Sequence, residues 1–145
     1  KLDRYYRKND EFNAERLNLI SEHKSKYIIL YAPTFSPRLT SAPHVYNEIK
    51  SLAKNQDYII LLKFHPLMDE KWVKKYQNIA DKHKNIIFKK EKDITKYIII
   101  SDLIISDTSS VVYEFLLLDK PAITFRNISK SIFWKNLNNY DDLVN

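Results

Sequence analysis

The chain has 145 residues, of which 44% are hydrophobic and 29% are charged, and its formal net charge is +6. This length suits one folded domain, and the composition excludes an intrinsically disordered chain. Cysteine and glycine are both absent, which excludes disulfides, thiolate metal sites, thiol nucleophiles and the glycine-rich phosphate loops of many nucleotide-binding proteins.

The first half of the chain predicts a strand-helix-strand unit. A helix over residues 10–23 leads into a nearly continuous apolar run, Tyr27–Ala32, and a second such run covers residues 58–64. Runs of this kind are typical of parallel strands that are buried on both faces. Between them, three prolines indicate a loop over residues 33–43, and apolar residues at helical spacing predict a helix over residues 44–55.

The second half continues the alternation of helices and strands. An amphipathic helix with an acidic first turn is predicted over residues 69–83, and a short strand follows over residues 85–88. The remaining predicted elements are a short helix capped by Asp93 and ending at Ile100, a strand at Leu103–Ser106, a helix over residues 110–118 and a strand over residues 121–125. This order predicts an α/β fold with a Rossmann-like open, mostly parallel sheet of about five strands, in which the runs beginning at Tyr27, Tyr58 and Leu103 are central.

The predicted organisation is a single domain over residues 1–145. It comprises a lead-in helix within residues 1–26, a core over residues 27–126 and an irregular tail over residues 127–145. The chain begins with Lys1 rather than methionine, and its opening has no apolar signal-peptide core. We therefore interpret it as a piece of a larger protein.

The positive charge is concentrated in one region, where eight lysines fall between Lys71 and Lys92. This cluster can contact an anionic membrane or a polyanionic acceptor, although a solvated helix face is the simpler interpretation. It lacks regularly spaced aromatic residues that stack on bases, so we expect no nucleic-acid partner. The longest apolar stretch, residues 97–106, is interrupted by Ser101 and Asp102 and is too short to span a bilayer.

Open parallel sheets bind ligands beyond the carboxyl ends of their strands, so the residues that follow each predicted strand form the candidate site. Four clusters qualify. They are Pro33, Thr34 and Phe35 with Arg38, His65 with Pro66, residues 107–110 with Glu114, and Arg126 with Asn127. The aromatic residues near these clusters are interpreted as core or pocket wall: Tyr31, Phe35, Phe64 and Phe125.

The third cluster is the most informative, because a strand runs through Asp107, Thr108, Ser109 and Ser110 directly into an apolar helix. Free backbone N–H groups at a helix start, two hydroxyls and the helix dipole form a cradle for pyrophosphate that needs no glycine. Ordinary helix capping by aspartate or serine is the alternative. Glu114 lies four residues after Ser110, outside capping-box spacing but on the same helix face, where a carboxylate can accept hydrogen bonds from ribose hydroxyls.

His65 ends a strand, and Pro66 biases its backbone towards an extended conformation that aims the imidazole over the sheet edge. An imidazole in that place suits general acid catalysis or hydrogen bonding to phosphate, and a structural histidine is the alternative. Arg38 and Arg126 can each bind phosphate oxygens in bidentate fashion or act as ordinary surface arginines. The other histidines lack metal-ligand spacing, so we expect no metal site.

Four segments carry a family resemblance: YAPTF (31–35), LLKFHP (61–66), SDLIISDTSSVVYEF (101–115) and DKPAITF (119–125). Together, within residues 27–126, they resemble the carboxyl-terminal domain of the CDP-glycerol:polyglycerophosphate glycerophosphotransferases, the GT-B enzymes of teichoic-acid polymer synthesis. The resemblance implies the nucleotide-donor-binding half of a bilobal fold, with the partner amino-terminal domain absent.

The resemblance also implies roles for particular residues. His65 matches a functionally essential histidine of the family, and Glu114 matches an acidic residue placed for the ribose. A CDP-activated polyol is expected to lie across residues 109–110. The chain departs from the family at Thr108, where tyrosine is usual, and at Arg38, which stands two residues later than the arginine of the family.

The implied function is transfer of glycerol phosphate, or a related polyol phosphate, from a CDP-activated donor to a polyol-phosphate or lipid-linked acceptor in cell-surface polymer synthesis. His65 is the implied catalytic residue, and no cofactor is expected besides the nucleotide-activated substrate. We expect a cytoplasmic location with peripheral contact to the anionic inner face of the cell membrane, and we expect the isolated domain to be inactive.

Several donors and two other functions stay open. CDP-glycerol, CDP-ribitol and UDP-sugars are all candidate donors. One alternative is a UDP-sugar glycosyltransferase or UDP-sugar 2-epimerase of the same architecture, since one fold supports many chemistries. The other is a non-catalytic α/β module that binds a nucleotide or a protein.

Overall fold

The structure is a computed structural model that describes residues 9–125. Its helices are α1 (Asn9–His23), α2 (Tyr46–Leu52), α3 (Glu70–Lys82), α4 (Thr95–Ile100) and α5 (Val111–Leu116). Its strands are β1 (Tyr27–Ala32), β2 (Tyr58–Lys63), β3 (Ile86–Lys89), β4 (Leu103–Ser106) and β5 (Ala122–Thr124). The predicted site residue Arg126 and the tail over residues 127–145 lie outside the described residues.

The five strands form one sheet in the order β3-β2-β1-β4-β5, and all neighbouring strands are parallel. On one side of β1 lie β2 and then β3, and on the other side lie β4 and then β5. The order therefore reverses between β1 and β4, where open α/β sheets form a ligand crevice. The register places Ala32 opposite Ser106, so both strands end side by side at this crevice. The predicted parallel α/β sheet, with β1, β2 and β4 central, is confirmed.

Apolar side chains cover both faces of the central strands, which explains their nearly continuous hydrophobic sequences. On one face, Ile28 and Leu61 pack with residues of α1, α4 and α5. On the other face, Tyr31 packs with residues of α2 and α3. Helix α1 contributes Phe12 and Leu19 to the first cluster, so the helix that leads into β1 is also part of the core.

Several predicted ends of helices and strands were wrong, by up to three residues. The helix predicted over residues 44–55 is the shorter α2, because the residues before it form a tight turn in which the His44 N–H donates to the Ser41 carbonyl oxygen at 2.8 Å. The strand predicted over residues 85–88 is β3, which starts one residue later because Asn85 is buried and its amide side chain donates to carbonyl oxygens around the start of β2. Helix and strand ends are the least regular parts of any element, and long-range contacts decide them.

Among residues 9–125, two residues adopt a left-handed backbone conformation although neither is glycine: Lys24, with φ 52°, and Asp119, with φ 55°. Lys24 directly follows α1, and Asp119 follows α5, positions where glycine usually ends a helix. For a lysine this conformation costs about 1–2 kcal/mol relative to the right-handed one, whereas the short polar side chain of an aspartate tolerates it better. The folded chain therefore contains local strain after α1.

Candidate functional site

Most of the predicted site residues follow β1 or β4, the two strands between which the strand order reverses. Thr34 and Arg38 follow β1, His65 follows β2, and the turn over residues 107–110 joins β4 to α5. Because the strands are parallel, these segments share one border of the sheet, here called the carboxyl edge. The structure thus brings every predicted site segment among residues 9–125 to the same edge.

Asp107 is buried, and the protein itself engages both oxygens of its carboxylate. Oδ1 accepts a hydrogen bond from the Thr34 N–H at 2.8 Å, while Oδ2 accepts from the Ser41 N–H at 2.7 Å and the Ser41 hydroxyl at 2.8 Å. Burial raises the pKa of Asp107, and these hydrogen bonds oppose the rise because they favour the carboxylate. Asp107 therefore joins the β1–α2 loop, residues 33–45, to the turn after β4. Its contact with a donor stays a prediction, and the sequence did not indicate this joining role.

Buried aromatic residues hold the β1–α2 loop from the core side. The Ser41 hydroxyl lies 3.0 Å from the Tyr31 hydroxyl, and the Tyr31 ring stacks on Tyr76 with ring centroids 5.5 Å apart. The Tyr76 hydroxyl donates to the Ala42 carbonyl oxygen at 3.0 Å. Burial raises the pKa of both tyrosines, so both hydroxyls stay protonated at neutral pH. The loop is therefore fixed by the core on one side and by Asp107 on the other.

The turn before α5 uses its hydroxyls only weakly within the protein. Ser110 is exposed and makes no side-chain capping bond to α5, and Ser109 Oγ accepts a long hydrogen bond of 3.5 Å from the Val111 N–H. Thr108 Oγ1 is buried and has no hydrogen-bond partner among residues 9–125. Glu114 lies one helical turn after Ser110 on the same face of α5. Both serine hydroxyls can therefore bind a ligand, but a helix of six residues adds only a small dipole to their effect.

His65 is exposed at the end of β2 and has a defined ring orientation. Its Nδ1 accepts a hydrogen bond from the Leu67 N–H at 3.1 Å. The Phe35 ring stacks on the imidazole, with centroids 4.4 Å apart and 27° between the ring planes. A neutral imidazole that accepts at Nδ1 carries its proton on Nε2. His65 can therefore donate a hydrogen bond to a ligand through Nε2.

Sequence reasoning missed several contacts at this edge. His44 and Phe125 form a second stacked pair, with ring centroids 5.2 Å apart and 10° between the planes. Phe35 was predicted in the cluster that follows β1 and interpreted as core or pocket wall; it is 39% exposed and contacts His65, a contact that was not predicted. Ser41 was not predicted at all. Their position after a strand was the one available signal, because no spacing pattern links these residues to their partners.

The basic cluster between Lys71 and Lys92 is partly neutralised. Lys71 pairs with Asp69 at 3.3 Å, and Lys74 pairs with Glu70 at 2.9 Å. The cluster thus offers an anionic partner less unpaired charge than its lysine count indicates. In the part of the chain that the structure describes, no helix combines the length and apolar character needed to cross a membrane, and no three His, Cys, Asp or Glu side chains are placed to hold a metal ion.

The fold and the carboxyl edge first define a class of protein. An open parallel sheet with its crevice at the switch point, and a hydroxyl-rich turn that leads into a helix there, are features of nucleotide-binding α/β domains. The chain belongs to the CDP-Glycerol:Poly(glycerophosphate) glycerophosphotransferase family, whose family model matches residues 1–130. The resemblance that the four sequence segments indicated is therefore confirmed.

Similar proteins agree with this family. The chain is 32% identical over 110 residues to the teichoic acid ribitol-phosphate polymerase TarL of Staphylococcus aureus. The matched region covers 70% of this chain and 19% of TarL. Its fold is similar to that of the wall teichoic acid polymerase TagF, with a TM-score of 0.53 and 24% identity over 83% of this chain and 29% of TagF. It is also similar to the S. aureus MnaA–UDP co-structure, with a TM-score of 0.57 and 18% identity over 75% of this chain and 30% of that chain. These two structures show the shared fold alone, which confirms the predicted GT-B-like architecture, and this chain spans less than a third of each of the three proteins.

Proposed function

We propose that this chain forms the nucleotide-donor-binding part of an enzyme that transfers glycerol phosphate, or a related polyol phosphate, from a CDP-activated donor. The acceptor is a polyol phosphate or a lipid-linked precursor of a teichoic-acid-type polymer. Membership of the family supports the reaction class. One observation supports the site: the serine turn follows β4 and His65 follows β2, the two strands on either side of β1, so both lie at the carboxyl edge of the parallel sheet. We also propose a cytoplasmic location at the inner face of the membrane, where a nucleotide donor can meet a lipid-linked acceptor.

The turn over residues 108–110 holds the diphosphate of the donor in this proposal. The two serine hydroxyls, which α5 uses weakly, donate to phosphate oxygens. Glu114, one turn further along, accepts hydrogen bonds from the ribose hydroxyls. Arg38 and Arg126 add positive charge to the diphosphate. Thr34 and Asp107 support the turn through their own hydrogen bond.

The chemistry follows from where negative charge develops. The acceptor hydroxyl oxygen attacks the donor phosphorus that carries the polyol, and the bond from this phosphorus to the bridging oxygen breaks. Cytidine monophosphate leaves with the bonding electrons, so negative charge grows on its phosphate. His65 donates its Nε2–H to that phosphate, as a hydrogen bond or as a proton, and such a group contributes about 10²- to 10⁴-fold to a rate. The proton of the attacking hydroxyl goes to a base outside the described residues, which we place on the partner amino-terminal domain.

Thermal unfolding of the chain with a series of ligands tests the donor class. A ligand that binds only the folded chain raises the melting temperature by mass action. CDP-glycerol or CDP-ribitol is expected to raise it at lower concentrations than UDP-sugars do, and CDP is expected to act between the donor and cytidine. A stronger effect of a UDP-sugar would assign the chain to the UDP-dependent enzymes. No shift with any nucleotide would favour the non-catalytic, protein-binding alternative.

A further inference from the structure

We propose that Phe35 is a positioning residue for His65. Its ring, together with the Leu67 N–H, holds the imidazole in one orientation, in which Nε2 is the ring nitrogen that faces a ligand. This inference rests on the proposed function of His65 for its catalytic meaning. The geometry itself can be tested without any assay of transfer.

The Leu67 N–H controls one side of the imidazole. It donates to Nδ1 of His65 at 3.1 Å, and the Met68 N–H donates to the His65 carbonyl oxygen at 2.9 Å, so the backbone turns tightly at this point. A side chain that accepts a hydrogen bond from its own backbone two residues later behaves like the aspartate of an Asx turn. Nδ1 is therefore occupied within the protein, and proton donation to a ligand is left to Nε2.

Phe35 controls one face of the same ring. His65 is exposed, and a single hydrogen bond at an exposed side chain restrains its rotation only modestly. The Phe35 ring, 4.4 Å away and inclined by 27°, covers one face of the imidazole and favours the orientation that keeps Nδ1 near the Leu67 N–H. With Nδ1 and one face engaged, Nε2 and the opposite face stay accessible.

Phe35 can act in this way because the backbone on both sides of it is fixed. The preceding residue, Thr34, donates its N–H to Asp107 at 2.8 Å. The carbonyl oxygen of the following residue, Ser36, accepts hydrogen bonds from the Leu39 and Thr40 N–H groups at 3.0 and 2.9 Å. Phe35 is nevertheless 39% exposed, so its burial in the core is not its main use. Asp107, next to the turn proposed to hold the diphosphate, thus indirectly helps to orient the proposed acid.

Nuclear magnetic resonance on the chain tests the geometry directly. In Phe35→Leu, the Leu67 amide is expected to exchange with solvent roughly two- to tenfold faster, because the loss of stacking frees the ring from its amide partner. The His65 ring proton signals should also lose the upfield shift caused by a stacked ring. Phe35→Tyr keeps an aromatic ring and should restore both signals. The melting temperature of both variants should stay close to that of the unchanged chain.

Phe125→Leu is the matched control, because it removes the aromatic partner of His44 at the same edge. It should change the His44 signals and leave those of His65 and Leu67 unchanged. Unchanged Leu67 exchange and His65 signals in Phe35→Leu would overturn the inference. Faster Leu67 exchange and a lost upfield shift of His65 in Phe35→Leu would support the positioning contact. Full turnover of His65→Ala in the full-length protein would at the same time disprove the proposed function of His65.

Discussion

The two ends of the sheet both carry charged side chains, but the protein uses them differently. At the amino end, Arg16 forms two contacts with the Asp102 carboxylate, at 2.9 and 3.0 Å, and Asp102 also accepts the Ile28 N–H at 2.8 Å. Lys120 donates to three carbonyl oxygens at the end of α4, and burial lowers its pKa. At the carboxyl edge, by contrast, His65 and Ser110 are exposed, and the protein engages the serine hydroxyls of the turn only through one long hydrogen bond.

This difference shows which residues of a shared motif belong to the scaffold. Asp102 and Lys120 lie in two of the segments that carry the family resemblance, yet both form hydrogen bonds with other groups of the protein. Asp107 has the same character, although it stands at the carboxyl edge. A motif residue is therefore a strong ligand candidate only when its polar atoms are not already engaged. The following predictions test this division.

The largest effect is expected for His65→Ala in the full-length protein. Turnover should fall at least tenfold, because Nε2 no longer supports the leaving phosphate and general acid groups contribute about 10²- to 10⁴-fold to a rate. The melting temperature should hardly change, since His65 is exposed. His23→Ala, at the end of α1 near the amino end of the sheet, is the control and should retain turnover. If His65→Ala instead lowers stability and retains full turnover, the role of His65 is structural.

At the amino end, a substitution is expected to lower stability and leave ligand binding unchanged, the reverse of the result expected for His65→Ala. Asp102→Ala should lower the free energy of unfolding by about 2 kcal/mol, because Arg16 loses its partner and the Ile28 N–H loses its acceptor. Nucleotide affinity should not change. Urea unfolding measures the stability, and Asp57→Ala, which removes an exposed pair with Lys26 at 3.2 Å, should cost less than about 1 kcal/mol. Weaker donor binding by Asp102→Ala at unchanged stability would contradict the division between the two ends.

At the carboxyl edge, two variants separate ligand binding from helix capping. Replacing Ser109 and Ser110 with alanine should weaken CDP-glycerol and CDP about tenfold more than cytidine, because charge-assisted hydrogen bonds to phosphate are lost. Glu114→Gln should weaken all three ligands alike, since the ribose is common to them. Ser51→Ala, at an exposed position of α2, is the control. Calorimetric titration provides the affinities, and equal losses for all three ligands in the double serine variant would show that the diphosphate lies elsewhere.

The smallest effect concerns the strained backbone after α1. Lys24→Gly should raise the free energy of unfolding by about 0.5–1 kcal/mol, because relief of the Cβ clash outweighs the cost of adding a glycine. Lys54→Gly, where the backbone is not left-handed, should instead lower it. Thermal unfolding of both variants provides the comparison. A loss of stability in Lys24→Gly would mean that the lysine side chain contributes more than its backbone strain removes.

The sequence predicted strands more accurately than helix ends or contacts. The ranges of β1 and β4 match their predictions, because burial on both faces leaves an apolar run that is visible locally. The site was predicted as a set of positions after strands, which the parallel topology brings to one edge. Its contacts could not be predicted in the same way. Asp107 bonds to Ser41, 66 residues earlier in the chain, and no local pattern records that pairing.

The left-handed conformations of Lys24 and Asp119 show what the absence of glycine means for the folded state, and the same absence also affects the unfolded state. A glycine would widen the range of backbone states in the unfolded ensemble, and fixing it would cost more conformational entropy than fixing any other residue. Without glycine, the chain carries strain at Lys24 but begins folding from a narrower ensemble. The loops at the carboxyl edge share this restriction, so they lose less freedom when a ligand orders them and are preorganised for binding by composition as well as by contacts.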